Sequence, residues 1–230
     1  MSQTPLTLIS SMATREVLRQ LAADFQAATG QAVSTEAGGG VDVAKRVRAG
    51  ERVDIVVLAH NVIDALIAEG HALPGSRTDL VKSGVAVAVK AGAARPDLGS
   101  EEAVKQAVLA AGSLSYSTGP SGTYLESLFA RWGILEQIRG RIVVPPPGVP
   151  VGSLVASGGA ELGFQQLSEL MNLPGIEVAG PLPPSIQTLT IFSGAITTAC
   201  QTPSAARALL AFLASPTTAP TKQRHGMDAA

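Results

Sequence analysis

Ser115-Tyr116-Ser117-Thr118-Gly119-Pro120-Ser121-Gly122-Thr123-Tyr124, continuing into Leu125-Glu126-Ser127-Leu128-Phe129, is the stretch whose reading decides the fold. Leu114 to Ser117 reads as the end of a short strand, and Gly119-Pro120 as a turn. From Ser121 onward Leu125, Leu128, Phe129 and Trp132 recur at helical spacing, which predicts a helix opening near Ser121-Gly122. A helix start leaves about four backbone N–H groups unpaired and carries roughly half a positive charge. The small residues Ser121, Gly122 and Thr123 let a ligand approach those amides, and the hydroxyls, Ser117 included, add donors. The same residues also suit an ordinary capped helix after a turn. A second seat of this build elsewhere would favour an anion site.

The N-terminal tenth of the chain repeats the arrangement. Leu6 to Ile9 is a short apolar strand ending in Ser10-Ser11, and Met12 to Thr29 follows as an amphipathic helix stopped by Gly30. Ala32 to Thr35 reads as a second strand, leading through Gly38-Gly39-Gly40 into a helix that ends at Gly50. Three glycines there suit either close approach of the backbone to a ligand or a flexible turn. Val43 stands at the third glycine position of a dinucleotide fingerprint, and Gly-Lys-Ser/Thr occurs nowhere, so neither nucleotide motif is present.

Val53 to Leu58 is a near-continuous apolar run, as a parallel strand buried on both faces would be. It ends at Ala59-His60-Asn61, which puts His60 at a strand's carboxyl end, where open α/β sheets hold ligands. A lone histidine there is also a common structural hydrogen-bonder. Further on, the pattern predicts a long strand at 80–89 with Gly84 inside it, a helix at 101–111 and a strand at 141–144. The loop Pro145-Pro146-Pro147-Gly148 comes next, then a helix at 151–156 and a strand at 160–166 ending in Gln165-Gln166. A second long strand, 188–198, contains Gly194; helix 204–213 and a polar tail from Pro216 follow. Alternating strands and helices predict α/β layers with mostly parallel strands. The two glycine-bearing strands predict a double crossover, with one lobe from 1–81 and 188–230 and the other from 82–187.

Composition limits the function. The charge is −1, from 17 basic and 18 acidic residues with no basic run, which argues against a nucleic-acid partner. Aromatic residues make up 3%, too few for base- or sugar-stacking platforms. The single Cys200 excludes an internal disulfide and reads as a core residue, and three scattered histidines offer no metal motif. No cofactor or metal is expected. There is no G-x-S-x-G elbow and no H-E-x-x-H. Met1 to Pro5 lacks a basic segment, and Leu6 to Ile9 is too short for a signal peptide. As written, the chain is expected in the cytoplasm; a chain trimmed of its leader would be expected in the periplasm.

The strand-Ser10-Ser11-helix opening, Phe25-x-x-Ala28-Thr29-Gly30 and Gly50-x-x-x-Asp54-Ile55-Val56 resemble periplasmic molybdate-binding proteins. Ser121-Gly122-Thr123-Tyr124 before a helix, and Gly158-Gly159-Ala160-Glu161-Leu162-Gly163, resemble the same family in the same order. The resemblance implies a two-lobed type-2 periplasmic-binding-protein fold with a ligand cleft between the lobes. It places anion contacts on Ser10, Ser11, Gly39, Gly40, Ser121 and Gln166. It also implies an ABC transporter permease as partner if the chain is exported. The family's serine in the second loop is replaced by glycines, and its tyrosine at the fourth position by Gln166. Fewer hydroxyls and a roomier seat shift the expected ligand towards a di- or tricarboxylate, with Arg77 as a charge partner. Aconitate isomerase resembles this family too, and its chemistry would need a base such as His60. The expected function is therefore binding of a small anion, with aconitate-type isomerisation as the alternative. A ligand-sensing domain is the third reading, although no helix-turn-helix precedes the first strand.

Overall fold

The structure, a computed structural model, describes residues 4–146 and 149–230. Met1 to Gln3 of the leader reading, and Pro147 and Gly148 of the proline loop, lie outside the described residues. The elements run β1 (Leu6–Ser11), α1 (Arg15–Thr29), β2 (Val33–Gly38), α2 (Gly40–Arg48), β3 (Ile55–Ala59), α3 (His60–Ala68) and β4 (Thr78–Lys90). Next come α4 (Glu101–Ala110), β5 (Leu114–Tyr116), α5 (Pro120–Arg131), α6 (Leu135–Ile138), α7 (Val151–Ser157), β6 (Leu162–Gln166) and α8 (Leu167–Leu170). The chain closes with β7 (Ile176–Pro181), β8 (Leu189–Ile196), α9 (Pro203–Ala214), α10 (Ala219–Arg224) and β9 (Asp228–Ala229).

Two compact units result. The first holds the residues up to Lys82 together with Ile191–Ala230, and the second holds Ser83–Thr190. The chain changes unit inside β4 and again inside β8, so two continuous strands make the double crossover.

In the first unit β1 pairs parallel with β2 and β3, and β3 pairs antiparallel with β8. The apolar runs of β1 and β3 divide between two cores. Leu6, Leu8, Ile55 and Val57 pack with α1 and α9, whereas Ile9, Val56 and Leu58 pack with α2 and α3. Alternate side chains thus serve opposite faces, the reason these strands read as continuously apolar. Asp54 fixes the β1/β3 register: its carboxylate accepts from the Thr7 amide and hydroxyl, both at 2.8 Å.

In the second unit β5 pairs parallel with β6, while β4 pairs antiparallel with β6 and β7. Val85, Val87 and Val89 face the larger core with α4 and α5, and the smaller Ala86 and Ala88 face Leu170 of α8.

Three expectations need correction. The sheets are mixed rather than mostly parallel, because the long crossover strands run antiparallel to their neighbours. Residues 141–144 do not form a strand: Arg139–Arg141 is a 3-10 turn, and only an isolated bridge joins Ile142 to Leu114. Pro145 and Pro146 follow at once, lack N–H donors and stop a ladder from propagating. The stretch from Pro216 is no loose tail, since α10 and β9 lie within it and Thr218, Thr221, Lys222 and Met227 are buried.

Candidate functional site

Each unit gathers small hydroxyl, glycine or amide residues at the carboxyl ends of parallel strands. In the first unit the order β2-β1-β3 sets three strand ends side by side, and each feeds a helix. β1 ends in Ser10 and Ser11, both buried, and a 3-10 turn over Met12–Thr14 leads into α1. The Ser10 hydroxyl donates to the Ser11 carbonyl at 3.2 Å, and the Ser11 hydroxyl lies 3.4 Å from that of Thr14. No side chain caps α2, which starts at Gly40 after Gly39. A methyl group on Gly40 would lie 3.9 Å from Ser11 Cβ and 3.8 Å from a Leu58 methyl, which brings the serine and glycine loops together. Bare amides of this kind, at the positive end of a helix, are what an anion needs.

His60 is the first residue of α3, directly after β3. Its Nδ1 is buried and has no hydrogen-bond partner. Arg77 makes no hydrogen bond to this hydroxyl and glycine cluster. Its guanidinium binds both Asp64 oxygens at 2.9 and 2.8 Å and both Asp79 oxygens at 3.0 and 3.1 Å, so two carboxylates already balance its charge. The Arg77 hydrogen bond holds the Asp79 carboxyl below the usual range against the cost of burial, and the Ser193 hydroxyl, donating at 2.6 Å, adds to this. His60 lies within the electrostatic reach of Asp79.

In the second unit β5 and β6 end side by side. The Ser117 and Ser121 hydroxyls lie 3.2 Å apart at the start of α5, and Ser121 is buried. Gly122 allows this geometry: a Cβ there would stand 1.6 Å from the Ser117 carbonyl oxygen. Thr123 is exposed, and its hydroxyl donates back to Gly119 O at 3.4 Å. Gln166 ends β6, buried, with Nε2 donating to Thr190 Oγ1 at 2.8 Å and Oε1 buried without a partner. Ser168 Oγ, two residues on, is likewise buried and unpartnered.

Sequence reading missed Asp79, Ser193, Thr190 and Ser168. Thr190 is 24 residues from Gln166 and Ser193 is 114 from Asp79, so no local pattern could pair them. Among the described residues no group of three His, Cys, Asp or Glu side chains is placed to hold a metal ion.

The model of a family described as bacterial extracellular solute-binding proteins matches residues 6–228. An aconitate isomerase from a Pseudomonas species is 38% identical over 220 residues, covering 92% of this chain and 83% of that protein. Among solved structures, the periplasmic molybdate-binding protein of Azotobacter vinelandii superposes with a TM-score of 0.80 at 23% identity, over 96% of this chain and 98% of that one. A sulfate-binding protein from Mycobacterium tuberculosis gives 0.78 at 15% identity, over 98% of this chain and 86% of that one. At such identities these structures show the fold alone, a type-2 periplasmic-binding-protein architecture.

Proposed function

We propose that this chain, which belongs to the family of bacterial extracellular solute-binding proteins, binds a small di- or tricarboxylate and isomerises aconitate. The observation that carries the reading is His60 Nδ1, a buried nitrogen without a partner, directly after β3, the strand that pairs with the one ending in Ser10-Ser11. The relative at 38% identity, an aconitate isomerase, supports it.

The proposed reaction is a proton shift across an allyl unit. A base removes a proton from the methylene carbon and the electron pair moves into the neighbouring double bond. The proton then returns to the far carbon, so nothing is gained or lost. Histidine is suited to both halves because its ordinary pKa lies near neutrality. The Ser10, Ser11, Gly39 and Gly40 seat would hold a substrate carboxylate and stabilise the charge that builds on it as the C–H bond breaks. The Ser117 and Ser121 hydroxyls would take a carboxylate oxygen in the second unit. Arg77, occupied by Asp64 and Asp79, takes no ligand role in this proposal.

A proton NMR time course with trans-aconitate tests the proposal. Wild-type protein should produce the cis isomer above a protein-free control, and His60→Ala should slow it by about a hundredfold or more. Full turnover in His60→Ala would remove His60 as the base. The family supports a second reading, a binder that delivers its solute to an ABC permease without chemistry. Ligand line broadening with no conversion would favour that one. A cytoplasmic location goes with the enzyme reading and a periplasmic one with the binder, which fractionation of the native host would separate.

A further inference from the structure

Gln166 is the least explained polar side chain in either seat. Its amide nitrogen is committed to Thr190 Oγ1 at 2.8 Å, and both residues are buried. The other end, Oε1, is shielded from solvent and unpartnered. A buried acceptor left unmatched is costly, and folded proteins satisfy nearly all of them. The atom stands at the end of β6, next to the parallel strand whose exit carries the Ser117–Ser121 hydroxyl pair. A carbonyl oxygen can only accept. It is satisfied by a ligand that brings its own O–H, and it repels an oxygen carrying full negative charge and no proton.

We propose that Gln166 is the specificity-determining residue of the second unit. Its amide oxygen accepts a hydrogen bond from a ligand O–H, so the ligand is a polycarboxylate bearing a hydroxyl or one protonated carboxyl, not a fully deprotonated tetrahedral oxyanion. Thr190 accepts from the amide nitrogen at 2.8 Å and leaves the oxygen as the end presented. This rests on the carboxylate reading above and names the chemical form the site takes.

The test is titration calorimetry on the full chain with citrate, tricarballylate and sulfate, for wild type, Gln166→Leu and Thr190→Val. Citrate and tricarballylate differ by one hydroxyl. If that hydroxyl is the donor, wild type favours citrate about tenfold, and Gln166→Leu brings the two within about twofold. If a protonated carboxyl is the donor, the two bind alike. In that case wild type takes up about one proton, seen as an enthalpy that varies with the buffer's heat of ionisation, and Gln166→Leu takes up none. Thr190→Val, nearly isosteric, should weaken whichever signature appears by a few fold.

The inference is overturned if polycarboxylates bind and Gln166→Leu changes neither signature. It is also overturned if wild type favours tricarballylate, as an amide presenting its nitrogen would. If wild type binds sulfate but no polycarboxylate, the carboxylate reading falls and this inference with it.

Discussion

Two glycines at helix starts, Gly40 in the first unit and Gly122 in the second, look alike in sequence and do opposite work. Around Gly40 there is room, since an added methyl would make only ordinary contacts with Leu58 and Ser11. Gly122 is locked against its own chain, and an added Cβ would collide with the Ser117 carbonyl. The first glycine leaves open space at the start of α2, and the second lets the strand exit fold back far enough to set Ser117 on Ser121. The first seat is therefore adaptable and the second is built rigidly.

The largest effect should come from that contrast. Gly122→Ala should destabilise the protein by about 3 kcal/mol or more, because backbone rather than a flexible side chain must move. That corresponds to a fall of roughly 6–12 °C in unfolding midpoint for a chain of this size. Gly40→Ala should leave the midpoint within a few degrees and act on the ligand instead. Equal losses in the two variants would break the comparison.

Loss of single hydroxyls sharpens it. Ser121→Ala removes the partner of Ser117, and Ser11→Ala removes a hydroxyl held only by a long contact to Thr14. Each should weaken polycarboxylate binding by about tenfold in calorimetry, the worth of one hydrogen bond to a charged group. A loss confined to one variant would assign the anion to that unit alone.

The smallest effect lies away from both seats. Lys222 of α10 is buried, its Nζ has no partner, and burial pushes its pKa below the ordinary lysine value of 10.5. The unfolded chain holds that proton more tightly, so stability rises with pH from the lowered value up to about 10.5 and then levels off. Lys222→Met should stabilise the protein at pH 7 by about 1–2 kcal/mol. The gap from wild type, followed by denaturant unfolding, should narrow by pH 10. A gap independent of pH would mean that Lys222 folds in without losing its charge preference.

Much of the fold was legible because its signals are local. β1, β3 and the starts of α1, α3 and α5 follow from short strands that end in Ser10-Ser11, Ala59-His60 or Gly119-Pro120. What failed depends on distant partners. β7 carries no fully buried residue, and its strand state comes from pairing with β4. Gly84 and Gly194 are close approaches whose partners lie far along the chain: a Cβ on Gly84 would stand 3.1 Å from the Gln187 amide, and one on Gly194 2.5 Å from a Leu210 methyl. Arg77 looked like a spare positive charge because Asp64 of α3 is 13 residues away, and nothing in the sequence turns the carboxylate of Asp79, two residues on, towards it.

By itself the sequence determined the alternation of strands and helices, the hydroxyls and glycines at the strand exits, and the absence of a nucleotide or metal motif. Periodicity and turn chemistry act within a few residues, so they are written in the chain order. Only the tertiary structure decided that Arg77 is occupied, that the long strands β4 and β8 run antiparallel to their neighbours, and that Gln166 offers one free oxygen. Each of these depends on which atoms meet once the chain has folded, and hydrogen bonds and ion pairs are settled by that meeting rather than by composition.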